Sequence, residues 1–372
     1  MAGNKLKCAD IFAGAGGFSL AAENMGISVR VAIENDAHAV ETYRANFDVS
    51  SSRHLLIHQD IRSVDFEAVR KKAFPNGQKC DLILGGPPCQ GYSKHRINDS
   101  GVGDLRNDLI HSYFDFVRSL EPTCFLMENV PGMLWPRHRA YVSEFYRRGR
   151  EAGYAIFAPV ILDARDYGVP QRRKRVFILG FRNGIDTTDL CWPPKPTHSA
   201  APQSNEGASL PAWVSCNTAF APAPKDDEND VHMNHGPELV QAFQNTPPNG
   251  GSRRQSGRIL PCHQEHDGHK DVYGRIDPSM PAPTMTTACI NPSKGRFVHP
   301  TEHHGVTVRQ AARIQTFPDS FVFKGGLIAS GRQVGNAVPV KLGEAVLGAI
   351  IPTMKKSALK AAPGTKRAPA LT

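Results

Sequence analysis

Along the first half of the chain, apolar residues recur in two alternating periods. Lys7 to Phe12, Val29 to Ile33, Leu55 to His58, Asp81 to Leu84, Thr123 to Met127 and Ala155 to Leu162 read as short buried strands. Between them, Phe18 to Met25, Ala37 to Asn46, Phe66 to Ala73, Asp108 to Leu120 and Tyr141 to Ala152 carry helical spacing. Strand then helix, repeated, predicts an α/β fold with a mostly parallel, Rossmann-like sheet covered by helices on both faces. Ligands of such sheets bind outside the carboxyl ends of the strands.

Polar and glycine-rich exceptions fall at those ends. Asp10 and the loop Phe12-Ala-Gly-Ala-Gly-Gly-Phe18 close the first strand, Glu34 the second and Asp60 the third; Cys89 follows the fourth and Glu128 the fifth. Any one of these is compatible with a turn or a helix cap. Together they outline one cleft. Gly14, Gly16 and Gly17 let backbone approach a ligand closely, Glu34 is placed to accept hydrogen bonds from ribose hydroxyls, and Asp60 to accept from an adenine amino group. A dinucleotide oxidoreductase is the rival, but Ser19 stands where the third glycine of its fingerprint belongs. Cys89 lies in Gly85-Gly-Pro-Pro-Cys-Gln-Gly-Tyr-Ser93, where glycine and proline pairs stop both strand and helix. Most cysteines are small buried hydrophobes; one presented on such a loop reads as a nucleophile.

Composition narrows the class. A chain of 372 residues holds a large core and predicts two domains, and a net charge of +9 with pI near 9.2 favours a polyanionic partner. Eight cysteines without a Cys-x-x-Cys pair, a polar N-terminus and no apolar run of membrane-spanning length predict a reduced, cytoplasmic protein without membrane attachment. After Gly180 the alternation breaks down into proline-rich sequence until about Ile276. Arg253, Arg254 and Arg258, set among glycines there, suit phosphate or guanine edges. Cys262, His263, His266 and His269 lack the spacing of a standard zinc motif, so no metal is expected.

Taken in order, Asp-Ile-Phe-Ala-Gly-Ala-Gly-Gly, Gly-Gly-Pro-Pro-Cys-Gln, Glu-Asn-Val, Gln-Arg-Arg-Lys-Arg and Gln-Val-Gly-Asn-Ala-Val-Pro run from Asp10 to Pro339. The chain resembles the DNA cytosine-5 methyltransferases of prokaryotic type. That resemblance implies a methyltransferase sheet bound to S-adenosylmethionine and a smaller, irregular target-recognition domain. It assigns residues 1–185 to the catalytic domain, 186–327 to the small domain, 328–352 to a returning segment and 353–372 to a disordered basic tail. It implies that Cys89 attacks carbon 6 of a flipped cytosine, that Glu128 faces the ring nitrogen and amino group, and that Arg175, with Arg173 close by, lies near the base. A carboxyl in that role must hold or share a proton, so burial should raise its pKa. The cofactor pocket implied is Asp10, Phe12, Ala13, Gly14, Gly16, Gly17, Glu34, Asn35, Asp60, Ile61, Pro87, Leu109, Asn336 and Val338. Ser93, Lys94, His95 and Arg96 fall in a glycine-bounded loop after the nucleophile, read as a lid over the extruded base whose cations meet phosphate.

Two departures from the family pattern stand out: Gln310 where Glu is usual, and His304 where Arg is frequent. Both bear on local stability rather than chemistry. The expected partner is duplex DNA bound by a monomer near the nucleoid, with a cognate restriction endonuclease possible but not required. A transfer-RNA methyltransferase and a non-catalytic DNA-binding relative are the alternatives. The long basic segment and Gln90-Gly-Tyr weigh against the first, and an intact Cys89 and Glu128 against the second.

Overall fold

The computed structural model describes residues 5–50, 54–87, 108–200, 209–257 and 271–360, with the backbone alone at 108, 110, 111 and 360. The chain opens with β1 (Lys7–Ile11), α1 (Gly17–Asn24), β2 (Ser28–Glu34), α2 (Ala37–Asn46), β3 (Leu55–His58), α3 (Phe66–Ala73), β4 (Leu82–Gly85), α4 (Asp108–Leu120), β5 (Cys124–Asn129) and α5 (Arg139–Glu151). Three strands follow: β6 (Tyr154–Ile156), β7 (Val160–Asp163) and β8 (Lys174–Arg182). The sheet order is β3-β2-β1-β4-β5-β8-β6, with β7 also on β8. Strands β1 to β5 pair in parallel, whereas β8 runs antiparallel to β5, β6 and β7.

Strand alternation explains the two apolar layers. Cys8, Val29, Leu82, Leu84 and Leu126 face one cluster, closed by α1 and the C-terminal helices, while Ala9, Ile11, Val31, Ile83 and Met127 face the other, closed by α3, α4 and α5. The single strand expected from Ala155 to Leu162 is two. Phe157 N–H still reaches Leu179 O at 2.9 Å, but Pro159 has no N–H to donate and the edge restarts at Val160.

Beyond β8, regular structure thins to 3-10 turns and α6 (Pro237–Asn245). Arg275, 1% exposed, organises this part: its guanidinium donates to the carbonyls of Phe243, Thr246, His299 and Glu302 at 2.5 to 3.0 Å. Three helices complete the chain, α7 (Val308–Ile314), α8 (Gly326–Asn336) and α9 (Val340–Lys360).

Two expected boundaries move. Phe317, Phe321 and Phe323 pack in the apolar cluster on the α1 side of the sheet, and the Asn46 side chain binds both Val322 O and Val322 N, so the chain already meets α2 before residue 327. The final helix continues to Lys360, with Thr353 and Met354 buried, past the expected start of the tail at 353. The Gln310 departure is also explained. Thr307 N–H donates to Gln310 Oε1 at 3.0 Å and Gln310 N–H to Thr307 Oγ1 at 3.1 Å, a capping box that an amide oxygen closes as a carboxylate would. His304 stacks on His232 at 4.0 Å, and burial lowers the His304 pKa, so the position packs without an arginine.

Candidate active site

Strand order reverses between β1 and β4, and their ends lie side by side, Ile11 opposite Gly85. An open α/β sheet parts its covering loops at such a point. The glycine loop leaves β1 here, and the segment toward Cys89 leaves β4.

Asp10 ends β1 almost wholly buried and accepts the Ser19 hydroxyl at 2.7 Å, with a further bond from the Ser19 N–H. Because Gly16 caps α1 without a side chain, Asp10 supplies the missing acceptor from across the fold. The consequence is chemical. The helix N-terminus that would hold a dinucleotide's pyrophosphate already holds a carboxylate, so the pocket suits a cofactor whose charge here is positive. Phe12 adopts φ 61°, an uncommon left-handed conformation that turns the chain sharply into the loop. Gly16 and Gly17 have no room for a Cβ, which would come 2.5 Å from the Phe47 ring and 2.6 Å from Val338 O respectively. The segment carrying Val338 therefore lies directly on the loop, and Asn336, exposed, ends α8 beside it.

Glu34 is fixed before any ligand arrives. One carboxylate oxygen accepts Gly14 N–H at 2.8 Å, and the other accepts Asn35 N–H and Asp36 N–H at 2.8 and 2.7 Å. Ala13 N–H is bonded to Ile33 O, tying the loop to β2. Asp60 caps the turn at Ile61 and holds Arg62 in a two-point ion pair at 3.0 and 2.5 Å, which lowers its pKa, so an adenine amino group would share a carboxylate already engaged. Ile61 is buried in the apolar layer against which Phe12 and Leu109 also pack, giving that side of the pocket an apolar wall.

On the other side, Glu128 ends β5 with its carboxyl 10% exposed and Arg175 Nε 2.8 Å from Oε1. Burial raises its pKa despite the opposing charges of Arg175 and Arg173. A Cβ on Gly86 would come 2.9 Å from Glu128 Oε2, so only glycine brings the β4 exit this close to the carboxyl. Arg175 presents its guanidinium to the cleft, but Arg173 does not. It is fully buried and donates to Met285 O, Gly335 O and Ala337 O at 2.7 to 2.9 Å. Gly335 and Ala337 flank Asn336, so Arg173 braces that segment, and it also lends its charge to Glu128.

Three polar residues were not anticipated. Asn129 Nδ2 donates to Pro87 O at 3.3 Å, tying β5 to the start of the nucleophile segment. Gln171 Nε2 donates to Gln315 Oε1 at 2.7 Å, and Gln315 in turn to Val334 O and Ala337 O. The neighbourhood of Asn129 to Glu128 and of Gln171 to Arg173 was the available signal; the contacts span too much sequence to be read from spacing.

Cys89, Ser93, Lys94, His95, Arg96 and Arg258, with Cys262, His263, His266 and His269, lie outside the described residues. Arg253 does not face DNA as expected: the short turn it begins folds its side chain into the small domain, where it is 8% exposed, whereas Arg254 is exposed.

Comparison with known proteins agrees with this geometry. The family described as C-5 cytosine-specific DNA methylase matches residues 6–352. The chain is 31% identical over 346 residues to the Type II methyltransferase M1.HphI of Haemophilus parahaemolyticus, covering 92% of this chain and 86% of that one. It is 31% identical to M.NgoPII of Neisseria gonorrhoeae, covering 95% and 97%. Among solved structures, a putative DNA modification methyltransferase encoded within an Escherichia coli prophage superposes with a TM-score of 0.65 at 26% identity, covering 94% of this chain and 99% of that one.

Proposed function

The chain belongs to the C-5 cytosine-specific DNA methylases, and from that premise we propose that Cys89, Glu128 and Arg175 carry the reaction while the β1 loop, Glu34 and the segment at Asn336 and Val338 hold S-adenosylmethionine. The supporting observation is the pairing of Ile11 with Gly85 at the switch point, with Glu128 at the end of the next strand. It puts the glycine loop, the strand leading toward Cys89 and a buried carboxyl on one edge.

Bound there, the cofactor supplies an electrophilic methyl group. The protein residues do the rest. Cys89 adds as a thiolate to carbon 6 of an extruded cytosine, making carbon 5 nucleophilic. Glu128, whose pKa burial raises, holds a proton against the ring nitrogen, so negative charge does not build on the ring. Arg175 fixes the Glu128 rotamer and offers a second positive edge to the base. Water takes the carbon 5 proton as the thiolate is expelled, and the ring nitrogen returns its proton to Glu128, which restores the aromatic ring and the starting enzyme. The DNA-facing cations are Lys94, His95 and Arg96 with Arg254 and Arg258, and the protein acts as a monomer on duplex DNA in the cytoplasm. Its relatives are Type II methyltransferases, and this chain would likewise mark a defined sequence, with or without a nuclease partner.

The test is a duplex carrying 5-fluorocytosine at the target, found first by bisulfite sequencing of DNA from an expressing host. Fluorine cannot leave as a proton does, so a denaturation-resistant adduct through Cys89 is expected. Absence of any adduct on a proven target would overturn the addition route. Label transferred from the cofactor to transfer RNA but not to duplex DNA would overturn the substrate assignment.

A further inference from the structure

Behind the glycine loop, a row of buried polar groups crosses from α1 to the edge of β3. Asp10 Oδ2 accepts Ser19 Oγ–H at 2.7 Å, Ser19 Oγ accepts Tyr43 O–H at 2.7 Å, and Tyr43 Oη lies 3.0 Å from His54 Nε2. Asp10, Ser19, Tyr43 and His54 are each 6% exposed or less. His54 Nδ1 faces Glu23 Oε1 at 4.0 Å, and Glu23 reaches solvent. Each hydroxyl has one proton, so the directions are linked. An ionised Asp10 requires Ser19 to donate to it, Tyr43 to donate to Ser19, and His54 Nε2–H to donate to Tyr43. Protonating Asp10 reverses every bond and leaves the imidazole proton on Nδ1, beside Glu23.

We propose that Ser19, Tyr43 and His54 are positioning residues whose aligned hydrogen bonds favour the ionised form of Asp10 and so set the affinity for S-adenosylmethionine. The inference rests on the cofactor site described above. The ionised form matters because the cofactor is a sulfonium and an ammonium, and because the same carboxylate caps α1. Donors aligned in series polarise one another, so breaking the row at a distance weakens the last bond.

Other charges face both ends. Glu34, Cys8, Tyr113 and Tyr43 surround Asp10, and Glu23, Asp48 and Arg30 surround His54. Burial, with Glu34, lifts the Asp10 carboxyl to about 7, and burial holds His54 down to about 4, so the imidazole stays neutral while Asp10 titrates. Tyr43 also stacks on Phe47 under Gly16, which places the row against the loop itself.

The test is calorimetric affinity of the full chain for S-adenosylmethionine from pH 5.5 to 9, on wild type, Tyr43→Phe, His54→Leu and His54→Gln, each checked for an intact melting transition. Wild-type affinity should fall below an inflection assigned to Asp10. Tyr43→Phe and His54→Leu should move that inflection upward by about half a unit or more, lowering affinity about threefold below it and leaving the alkaline plateau unchanged. His54→Gln, whose carboxamide N–H still donates, should restore the wild-type profile. An unmoved inflection, a loss equal at every pH, or a pH-independent wild type would overturn this coupling through the hydrogen-bond row. A wild type that binds no S-adenosylmethionine at any pH would instead remove the cofactor assignment beneath it.

Discussion

Arg175 Nε stands 2.8 Å from Glu128 Oε1 across the β5–β8 pairing, yet the Glu128 carboxyl remains above its ordinary pKa. Burial outweighs the guanidinium. Burial therefore favours the protonated carboxyl while its neighbour holds it in one rotamer. Arg175→Ala removes an opposing charge, so the Glu128 pKa should rise further. The alkaline limb of the pH–rate profile, where Glu128 deprotonates, should then move to higher pH as the maximal rate falls by about 10- to 100-fold. An alkaline limb that stays in place would detach Glu128 from the proton the reaction needs.

Cys89→Ala should lower methyl transfer on the order of 10⁴-fold or more while leaving duplex affinity within a factor of about three. Filter binding and radiolabel transfer separate the two. Substantial residual turnover would remove the nucleophile assignment.

Glu34→Ala deletes the acceptor of three backbone N–H groups around the loop as well as the proposed ribose contact. Cofactor affinity should fall by about 2 to 3 kcal/mol, or roughly 30- to 150-fold. DNA affinity measured without cofactor should change far less.

Asp10 bears on stability as well as binding. Its folded-state pKa of about 7 exceeds its ordinary 3.8, so its contribution is fully present below about pH 4 and is lost as pH rises to 7. Above that, burying the charge costs the fold about 4 kcal/mol. Asp10→Asn keeps the acceptor for Ser19 without the charge. Without ligand, the variant should melt above wild type at pH 8 and alongside it at pH 4, with weaker cofactor binding at pH 8. Equal melting temperatures at pH 8 would show that Asp10 is not held at such a cost.

Arg173→Ala leaves the buried carbonyls of Met285 and Gly335 without this donor and Ala337 O with Gln315 alone. The expected loss is about 3 kcal/mol or more of stability, read as a lower denaturant midpoint. S-adenosylmethionine affinity should fall with it, because Gly335 and Ala337 flank Asn336.

Much of the scaffold was legible in local pattern. The helices Ala37–Asn46, Phe66–Ala73 and Asp108–Leu120 and the strand Leu55–His58 occur as their periodicity predicted, because each buries one face set by side-chain spacing alone. The split at Pro159 was overlooked because an apolar run hides the missing N–H. Helix α9 ran past its expected end because Ala, Lys and Leu continue a helix as readily as they fill a tail. Arg173 was expected beside the base because it shares a strand face with Arg175, and Arg253 at DNA because charge among glycines commonly faces solvent; their burial depends on carbonyls and packing that arrive from elsewhere in the chain.

From the order of its residues alone, the protein was determined to be an α/β methyltransferase with its polar exceptions gathered at the strand ends, since strand period, loop residues and motif order are local properties. Only the tertiary structure decided that Asp10 caps α1, that Arg173 braces the segment at Asn336, and that Tyr43 and His54 stand in line behind the glycine loop. Those relationships join groups many residues apart, and burial, which sets their charge and strength, exists only once the chain has closed around them.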